Sequence, residues 1–129
     1  MAEFKLLLVD DEEEFVNALA ERLELRRLAA RVAFDGESAL RMIGDDPPEV
    51  MVLDLKMPGI DGVEVLRRVK RTWPLVQVVI LTGHGSERDE ETVRRLGAFE
   101  CLQKPVDIDD LVETLRKAYE WSRNEKRGE

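Results

Sequence analysis

The sequence contains a single cysteine, Cys101, which excludes an internal disulfide and is consistent with a reducing compartment. It has no apolar run that approaches the length of a membrane span. The N-terminal residues combine a short apolar core with several acids, which is not the pattern of a secretory signal peptide. Internal repeats and low-complexity segments are also missing. These absences predict a cytoplasmic protein that makes no contact with a membrane.

Basic residues are the minority among the charged side chains. There are 20 Lys and Arg against 28 Asp and Glu, which gives a net charge of −8. This balance argues against direct nucleic-acid binding and against binding to an anionic membrane, and it suits cations or a partner with a basic face. With 129 residues, of which 43% are hydrophobic, the chain can form the core of one ordinary domain.

Two hydrophobic periods alternate along the chain. Short apolar runs typical of buried strands are separated by segments with the spacing of amphipathic helices. The predicted strands are residues 4–9, 31–34, 50–53, 77–81 and 99–103. The predicted helices are residues 12–28, 37–44, 62–72 and 86–96, and a last helix that begins after residue 107. Ser86 and Asp107 are predicted N-caps, and Gly97 is a predicted C-terminal glycine.

A strand followed by a helix, five times in succession with short connections, indicates an α/β fold. The strands are continuous apolar runs, as expected when helices cover both faces of a parallel sheet. The predicted architecture is a doubly wound five-stranded parallel sheet. Residues 1–122 are predicted to form the domain, and the polar residues 123–129 are predicted to be a frayed tail or the start of a linker.

Polar side chains follow four of the five predicted strands. Asp10 and Asp11 follow the first strand, Asp54 the third, and Lys104 the fifth, while Thr82 follows the fourth. Ligands of open parallel sheets bind beyond the carboxyl ends of the strands, where the strand order reverses. With the order 2-1-3-4-5, the three aspartates would share one pocket, and the lysine and the threonine would lie beside it.

Three carboxylates at close range repel one another, and a hard divalent cation relieves that repulsion. Mg²⁺ prefers a few carboxylates, water and phosphate oxygens. A lysine adds a mobile positive charge, and a threonine adds a hydroxyl donor. Such groups can neutralise a phosphoryl group in transfer, and an aspartate can carry it as an acyl phosphate.

Each of these residues has a plainer interpretation when it is taken alone. Asp10 and Asp11 could be helix caps, and Asp54 could be a turn residue. Thr82 could simply end a strand, and Lys104 could be a solvated lysine. Their shared position at the ends of strands favours a common site.

Four motifs then occur in order along the chain: LLLVDDEEEF, VLDLKMPGIDGVEVL, VVILTGHGS and LQKPVD. Together they resemble the receiver domain of two-component response regulators over residues 4 to about 121. The resemblance implies a flavodoxin-like (βα)5 fold with strand order 2-1-3-4-5. It also implies a module that accepts a phosphoryl group from a sensor histidine kinase or a phosphotransfer protein. Such a module is not an enzyme beyond assisting its own phosphorylation and dephosphorylation.

The resemblance assigns roles to the acidic residues. Asp54 would be the phosphoacceptor. Asp10, Asp11 and Asp54, together with the backbone carbonyl of Lys56, would bind Mg²⁺ or Mn²⁺.

It assigns the phosphoryl contacts and the output as well. Thr82 would donate a hydrogen bond to the phosphoryl group, and Lys104 would pair with it. The peptide bond before Pro105 would be cis, which only an X–Pro bond adopts at modest cost. The surface that changes on phosphorylation would be residues 86–121, and a downstream protein or output domain would bind there.

Three positions with family roles hold residues that are particular to this chain: the switch aromatic position and the two positions that tune the phosphoryl lifetime. The position of the switch aromatic, three residues before the lysine, holds Cys101, which is also predicted to be buried in a strand rather than reactive. The two positions that tune the lifetime of the phosphoryl group hold Lys56 and His84. Taken alone, His84 is more simply a surface residue of a Gly-His-Gly loop than a metal ligand.

Three functions fit these residues to different degrees. The first is a phosphorylatable receiver, either alone or as a module of a longer regulator such as a transcription factor, with a possible phosphorylation-dependent homodimer. The second is a metal-dependent phosphatase or phosphotransferase that acts on small molecules through an aspartyl phosphate. Haloacid-dehalogenase-like enzymes of this kind need a second aspartate two positions after the nucleophile, and the residue two positions after Asp10 is Glu12. The third is an interaction module that is not phosphorylated, which would not need to keep all five polar groups together.

Overall fold

Five strands and five helices alternate along residues 3–83 and 85–127, the part of the chain that the computed structural model describes. The strands are β1 (Leu6–Val9), β2 (Ala30–Ala33), β3 (Val50–Leu53), β4 (Gln77–Thr82) and β5 (Glu100–Gln103). The helices are α1 (Glu13–Glu24), α2 (Gly36–Asp45), α3 (Gly62–Thr72), α4 (Glu87–Arg95) and α5 (Ile108–Arg127).

All five strands are parallel and form one sheet in the order β2-β1-β3-β4-β5. The last residue of β1, Val9, is in register with Ala33 of β2 and with Leu53 of β3. Thr82 at the end of β4 pairs in the same way with Gln103 of β5. The carboxyl ends therefore lie along one edge of the sheet. This topology confirms the predicted flavodoxin-like fold.

The sheet is buried on both faces because its side chains alternate between two apolar layers. Leu6 and Leu8 of β1 belong to the layer that α1 and α5 cover. Leu7 and Val9 belong to the opposite layer, which α2, α3 and α4 cover. Successive side chains of the inner strands therefore face apolar layers on both sides of the sheet, which explains the continuous hydrophobic runs in the sequence.

The predicted ends of the later helices are confirmed. Ser86 forms a capping box at the start of α4: its hydroxyl accepts from the Asp89 N–H at 3.1 Å, and its own N–H donates to the Asp89 carboxylate at 3.2 Å. Asp107 accepts from the N–H of Asp109 at 2.8 Å at the start of α5. Gly97 follows α4 with φ of +105°, a conformation that glycine adopts without strain.

The first helix is shorter than the spacing of its apolar residues predicted. It ends at Glu24 rather than near residue 28. Arg27 adopts φ of +67°, and the N–H of Leu28 donates to the carbonyl of Leu23 at 3.0 Å. This turn reverses the chain toward β2 and keeps Leu28 in the core. The buried Leu28 side chain fits the apolar spacing of α1, which is why the sequence predicted one more helical turn.

The predicted polar tail is helical as far as Arg127. Residues 123–127 contain no proline or glycine, so nothing in their backbone chemistry ends the helix there. Ser122 also fastens this end of α5, because its hydroxyl donates to the carbonyl of Leu75 at 3.1 Å. Within the described residues, no helix combines the length and the apolar character that crossing a membrane requires.

Candidate functional site

The polar residues that follow the central strands converge at the carboxyl edge of the sheet. Asp10 and Asp54 directly follow β1 and β3, and both are buried. Backbone hydrogen bonds continue the sheet through them, from the Asp10 N–H to the Ala33 carbonyl at 3.1 Å and from the Asp54 N–H to the Val9 carbonyl at 3.0 Å. Thr82, the last residue of β4, is buried as well. The strand register thus brings together the Asp10 and Asp54 carboxylates and the Thr82 hydroxyl, which are far apart in the sequence.

Lys104 follows β5 and extends its ammonium into this group. Its Nζ lies 2.8 Å from Oδ2 of Asp10 and 2.6 Å from Oε1 of Glu12. A third carboxylate oxygen, Oδ2 of Asp54, is 3.6 Å away. The same ammonium lies 4.4 Å from the centre of the Phe15 ring, a cation–π contact. We call Asp10, Glu12, Asp54 and Lys104 the strand-end pocket.

The strand-end pocket fits a divalent cation. Asp10, Glu12 and Asp54 each present a carboxylate oxygen, and these three atoms lie within 4.8 Å of one another. A single ammonium against three carboxylates leaves negative charge in excess, and carboxylate oxygens are the ligands that Mg²⁺ takes. Oδ1 of Asp54 is buried and has no hydrogen-bond partner among the described residues. A buried polar atom in that condition is costly unless a ligand satisfies it.

The composition of this acidic group differs from the predicted set. Asp11 is exposed and is not one of its three carboxylates, whereas Glu12 is. Glu12 was not predicted to be a site residue, and its position two residues after Asp10 is the signal that could have indicated it. The contact of Phe15 with the Lys104 ammonium was not predicted either. The predicted roles of Asp11 and of the Lys56 carbonyl as metal ligands stay predictions.

Burial and charge shift the pKa values of two groups in the pocket. Burial raises the pKa of Asp10, and the Asp54 carboxylate raises it further, against the opposing hydrogen bonds from Lys104 and from the backbone of Glu12. Burial alone would lower the pKa of Lys104, but its hydrogen bonds to Asp10 and Glu12 and the charges of Asp10 and Asp54 raise it overall. Lys104 is therefore a permanent cation near neutral pH, and Asp10 takes up a proton more readily than an exposed aspartate.

Asp10→Asn is expected to raise the free energy of unfolding near neutral pH by about 1 kcal/mol in buffer without divalent cations. In the folded state the pKa of Asp10 lies above its ordinary value of 3.8, so ionisation favours the unfolded chain. That cost is full above the raised pKa and is lost below 3.8. Urea unfolding at neutral pH and at about pH 3 measures it.

The control for this variant is Asp11→Asn, which removes the same charge from an exposed neighbouring position. It should leave the free energy of unfolding within about 0.5 kcal/mol of the original at both pH values. A gain in Asp10→Asn that persists unchanged in acid would contradict the assigned cause.

The loop that follows β3 is held close to the start of α3. A Cβ atom at Gly62 would lie 2.2 Å from the carbonyl oxygen of Asp54 and 2.7 Å from Cα of Leu55. Only glycine permits this approach. Asp61 caps α3 by accepting from the N–H of Glu64 at 3.0 Å. The loop that carries Asp54 is therefore packed directly against the first turn of a capped helix.

The remaining predicted site residues have varied surroundings. The Lys104–Pro105 peptide bond is cis. Cys101 is a free cysteine and is partly rather than fully buried, and that burial raises the pKa of its thiol, which stays protonated near neutral pH. His84 lies outside the described residues. The predicted tuning roles of Lys56 and His84 stay predictions.

Comparisons with known proteins show which proteins this chain is similar to. The family model of the response regulator receiver domain matches residues 6–116. An NtrX-like response regulator of Rickettsia typhi is 33% identical over 122 residues, which are 93% of this chain and 26% of the relative. The transcriptional regulatory protein CpxR of Escherichia coli K12 is 36% identical over 125 residues, which are 95% of this chain and 53% of the relative.

Solved structures agree with the sequence comparisons. The crystal structure of a response regulator receiver domain protein from Clostridium thermocellum matches with a TM-score of 0.88 and 31% identity, covering 95% of this chain and 98% of that one. The chain thus spans nearly all of this receiver domain, but only 26% and 53% of the two curated relatives named above.

Proposed function

The chain belongs to the response regulator receiver domain family of two-component signal transduction, and we propose that Asp54 is the residue on which it accepts a phosphoryl group. Membership makes it a signalling module rather than a metabolic enzyme. One observation carries the assignment of Asp54: a buried carboxylate at the carboxyl end of the central strand, with one oxygen that no described residue satisfies. That is where open parallel sheets bind ligands.

The chemistry of the step is an in-line displacement at phosphorus. A carboxylate oxygen of Asp54 forms a bond to phosphorus while the bond from phosphorus to a nitrogen of the donor histidine breaks. The departing nitrogen keeps the electron pair of that bond, and the product is an acyl phosphate. Lys104 is already held beside Asp54 by Asp10 and Glu12, so the ammonium can turn toward the added negative charge. Thr82 at the end of β4 can donate its hydroxyl to a phosphoryl oxygen.

The excess of carboxylates at the pocket supports a metal requirement for this step. Asp10 and Asp54, with Glu12 or Asp11, would hold Mg²⁺ or Mn²⁺. The bound cation would offset the charge of the phosphoryl oxygens. Without it, three carboxylates would oppose the approach of an anionic phosphoryl donor.

Incubation with a small-molecule acyl phosphate and Mg²⁺ is expected to add one phosphoryl group to the intact protein, as measured by mass spectrometry. Excess chelator should lower the initial rate by at least about tenfold, because the carboxylates then repel the donor. Mn²⁺ should restore the rate, since it accepts the same oxygen ligands. Equal labelling with and without a divalent cation would refute the metal requirement, and no labelling at all would refute the proposed function.

The proposed partners follow from the family and from the lengths of the relatives. A sensor histidine kinase or a phosphotransfer protein would supply the phosphoryl group in the cytoplasm. Residues 86–121 would form the surface that responds, either to a separate protein or to an output domain of a longer regulator. CpxR, a transcriptional regulatory protein, supports the second arrangement because this chain covers 53% of it. A homodimer that forms on phosphorylation would use the same surface.

A further inference from the structure

An ion pair joins the loop after β3 to the first turn of α4. Nζ of Lys56 lies 3.7 Å from Oδ2 of Asp89, farther than a hydrogen bond but within the range of a charge pair. Lys56 stands two residues after Asp54, and Asp89 lies on the surface that the receiver would use for output. The contact is therefore a direct link between the proposed phosphorylation site and α4.

Asp89 is held in place independently of this pair. The same Oδ2 atom accepts from the N–H of Ser86 at 3.2 Å, and the N–H of Asp89 donates to the hydroxyl of Ser86 at 3.1 Å. The hydrogen bond from the backbone of Ser86 and the charge of Lys56 both lower the pKa of Asp89. The partner that can move is the lysine, whose long flexible side chain is 54% exposed.

We propose that Asp89 is a positioning residue that holds the Lys56 ammonium on α4 until a phosphoryl group on Asp54 competes for it. This inference rests on the proposed function of Asp54. In the unphosphorylated protein the pair ties the start of α4 to the loop. When the phosphoryl group is present, the Lys56 ammonium leaves the Asp89 carboxylate and pairs with the phosphoryl oxygens. The start of α4 then loses its ion pair with the loop.

The relative charges make this exchange favourable. A phosphoryl group carries about −1.5 to −2 charges near neutral pH, compared with −1 for the carboxylate. An exposed pair at 3.7 Å contributes little stability by itself, so it can be replaced without unfolding α4. By linkage, any contact made only in the unphosphorylated state weakens the binding of a phosphoryl mimic by the same factor.

The test measures the affinity of the protein for beryllofluoride, a mimic of the acyl phosphate, in the presence of Mg²⁺. Asp89→Asn is expected to bind beryllofluoride about two- to fivefold more tightly, because Lys56 no longer has to leave a carboxylate. Asparagine can still accept from the Ser86 N–H, so the capping box is kept. The gain should shrink at high salt, which a purely structural effect would not show.

Two further variants separate charge from structure. Glu87→Gln removes an exposed acid from the same turn of α4 and should leave the affinity unchanged. Asp89→Glu keeps the charge and should stay close to the original protein.

A double-mutant cycle assigns the effect to the pair. In a Lys56→Met background, Asp89→Asn should no longer tighten binding. Two results would overturn the proposed role of Asp89 and leave that of Asp54 standing. One is equal affinity of Asp89→Asn and the original protein, and the other is a gain in affinity that persists in the Lys56→Met background. If the original protein does not bind beryllofluoride at all, the proposed function of Asp54 fails together with this inference.

Discussion

Asp54→Asn is expected to abolish the incorporation of a phosphoryl group from a small-molecule acyl phosphate, to below about 1% of the original rate. The amide of asparagine carries no negative charge and is a very weak nucleophile toward phosphorus. The neighbouring groups, including Lys104, remain in place but cannot replace the missing carboxylate oxygen. Intact-mass measurement over a time course with Mg²⁺ would show the loss directly.

The loss must be distinguished from misfolding. Asp54 is a buried carboxyl group with one oxygen that no described residue satisfies, so Asp54→Asn is expected to keep or slightly raise the free energy of unfolding, by up to about 1 kcal/mol. Asp61→Asn is the matched control, since it lies in the same loop and asparagine also caps helices well. The control should be labelled at the original rate. Full labelling of the Asp54 variant would transfer the phosphoacceptor role to another residue.

Gly62→Ala is expected to lower the free energy of unfolding by about 2–4 kcal/mol. The added methyl would lie 2.2 Å from the Asp54 carbonyl oxygen and 2.7 Å from Cα of Leu55, both of them backbone atoms that cannot swing aside. The loop must therefore move away from α3, and Asp54 moves with it. We expect phosphorylation to slow as well, even under conditions where the variant is fully folded.

Gly44→Ala provides the opposite expectation from the same substitution. Gly44 lies within α2, and a Cβ atom there would meet nothing within 4 Å. Alanine should stabilise the protein by about 0.5–1 kcal/mol through its higher helix propensity. Urea unfolding curves of both variants test the argument. Similar stabilities for the two variants would show that close approach of the backbone does not explain Gly62.

The position of the site could be predicted from the sequence because strand ends obey a simple rule. Asp10 and Asp54 each directly follow an apolar run, Lys104 directly follows the last strand, and parallel strands bring such positions to one edge. The order of the strands follows from the short connections and the resemblance. The burial of the two aspartates then follows from the fold, without any separate signal in the sequence.

The side-chain contacts of long, flexible residues could not be predicted in this way. Glu12 enters the strand-end pocket and Asp11 does not, because the backbone turn between β1 and α1 decides which acid faces Lys104. The pair of Lys56 and Asp89 joins two loops that no local pattern relates. At the C-terminus, the polarity of the side chains suggested fraying, but α5 continues to Arg127 because no proline or glycine interrupts it.

The order in which the strands are synthesised determines the charge of the site in the nascent chain. Asp10, Glu12 and Asp54 all precede Lys104 in the sequence, and β5 is both the last strand and an outer strand of the sheet. On the ribosome, the acidic half of the pocket exists before its own counter-charge has been made. The pairing of β5 with β4 therefore completes the sheet and brings the Lys104 ammonium to the three carboxylates in one event. A nascent chain that stalls before β5 would carry an uncompensated acidic edge.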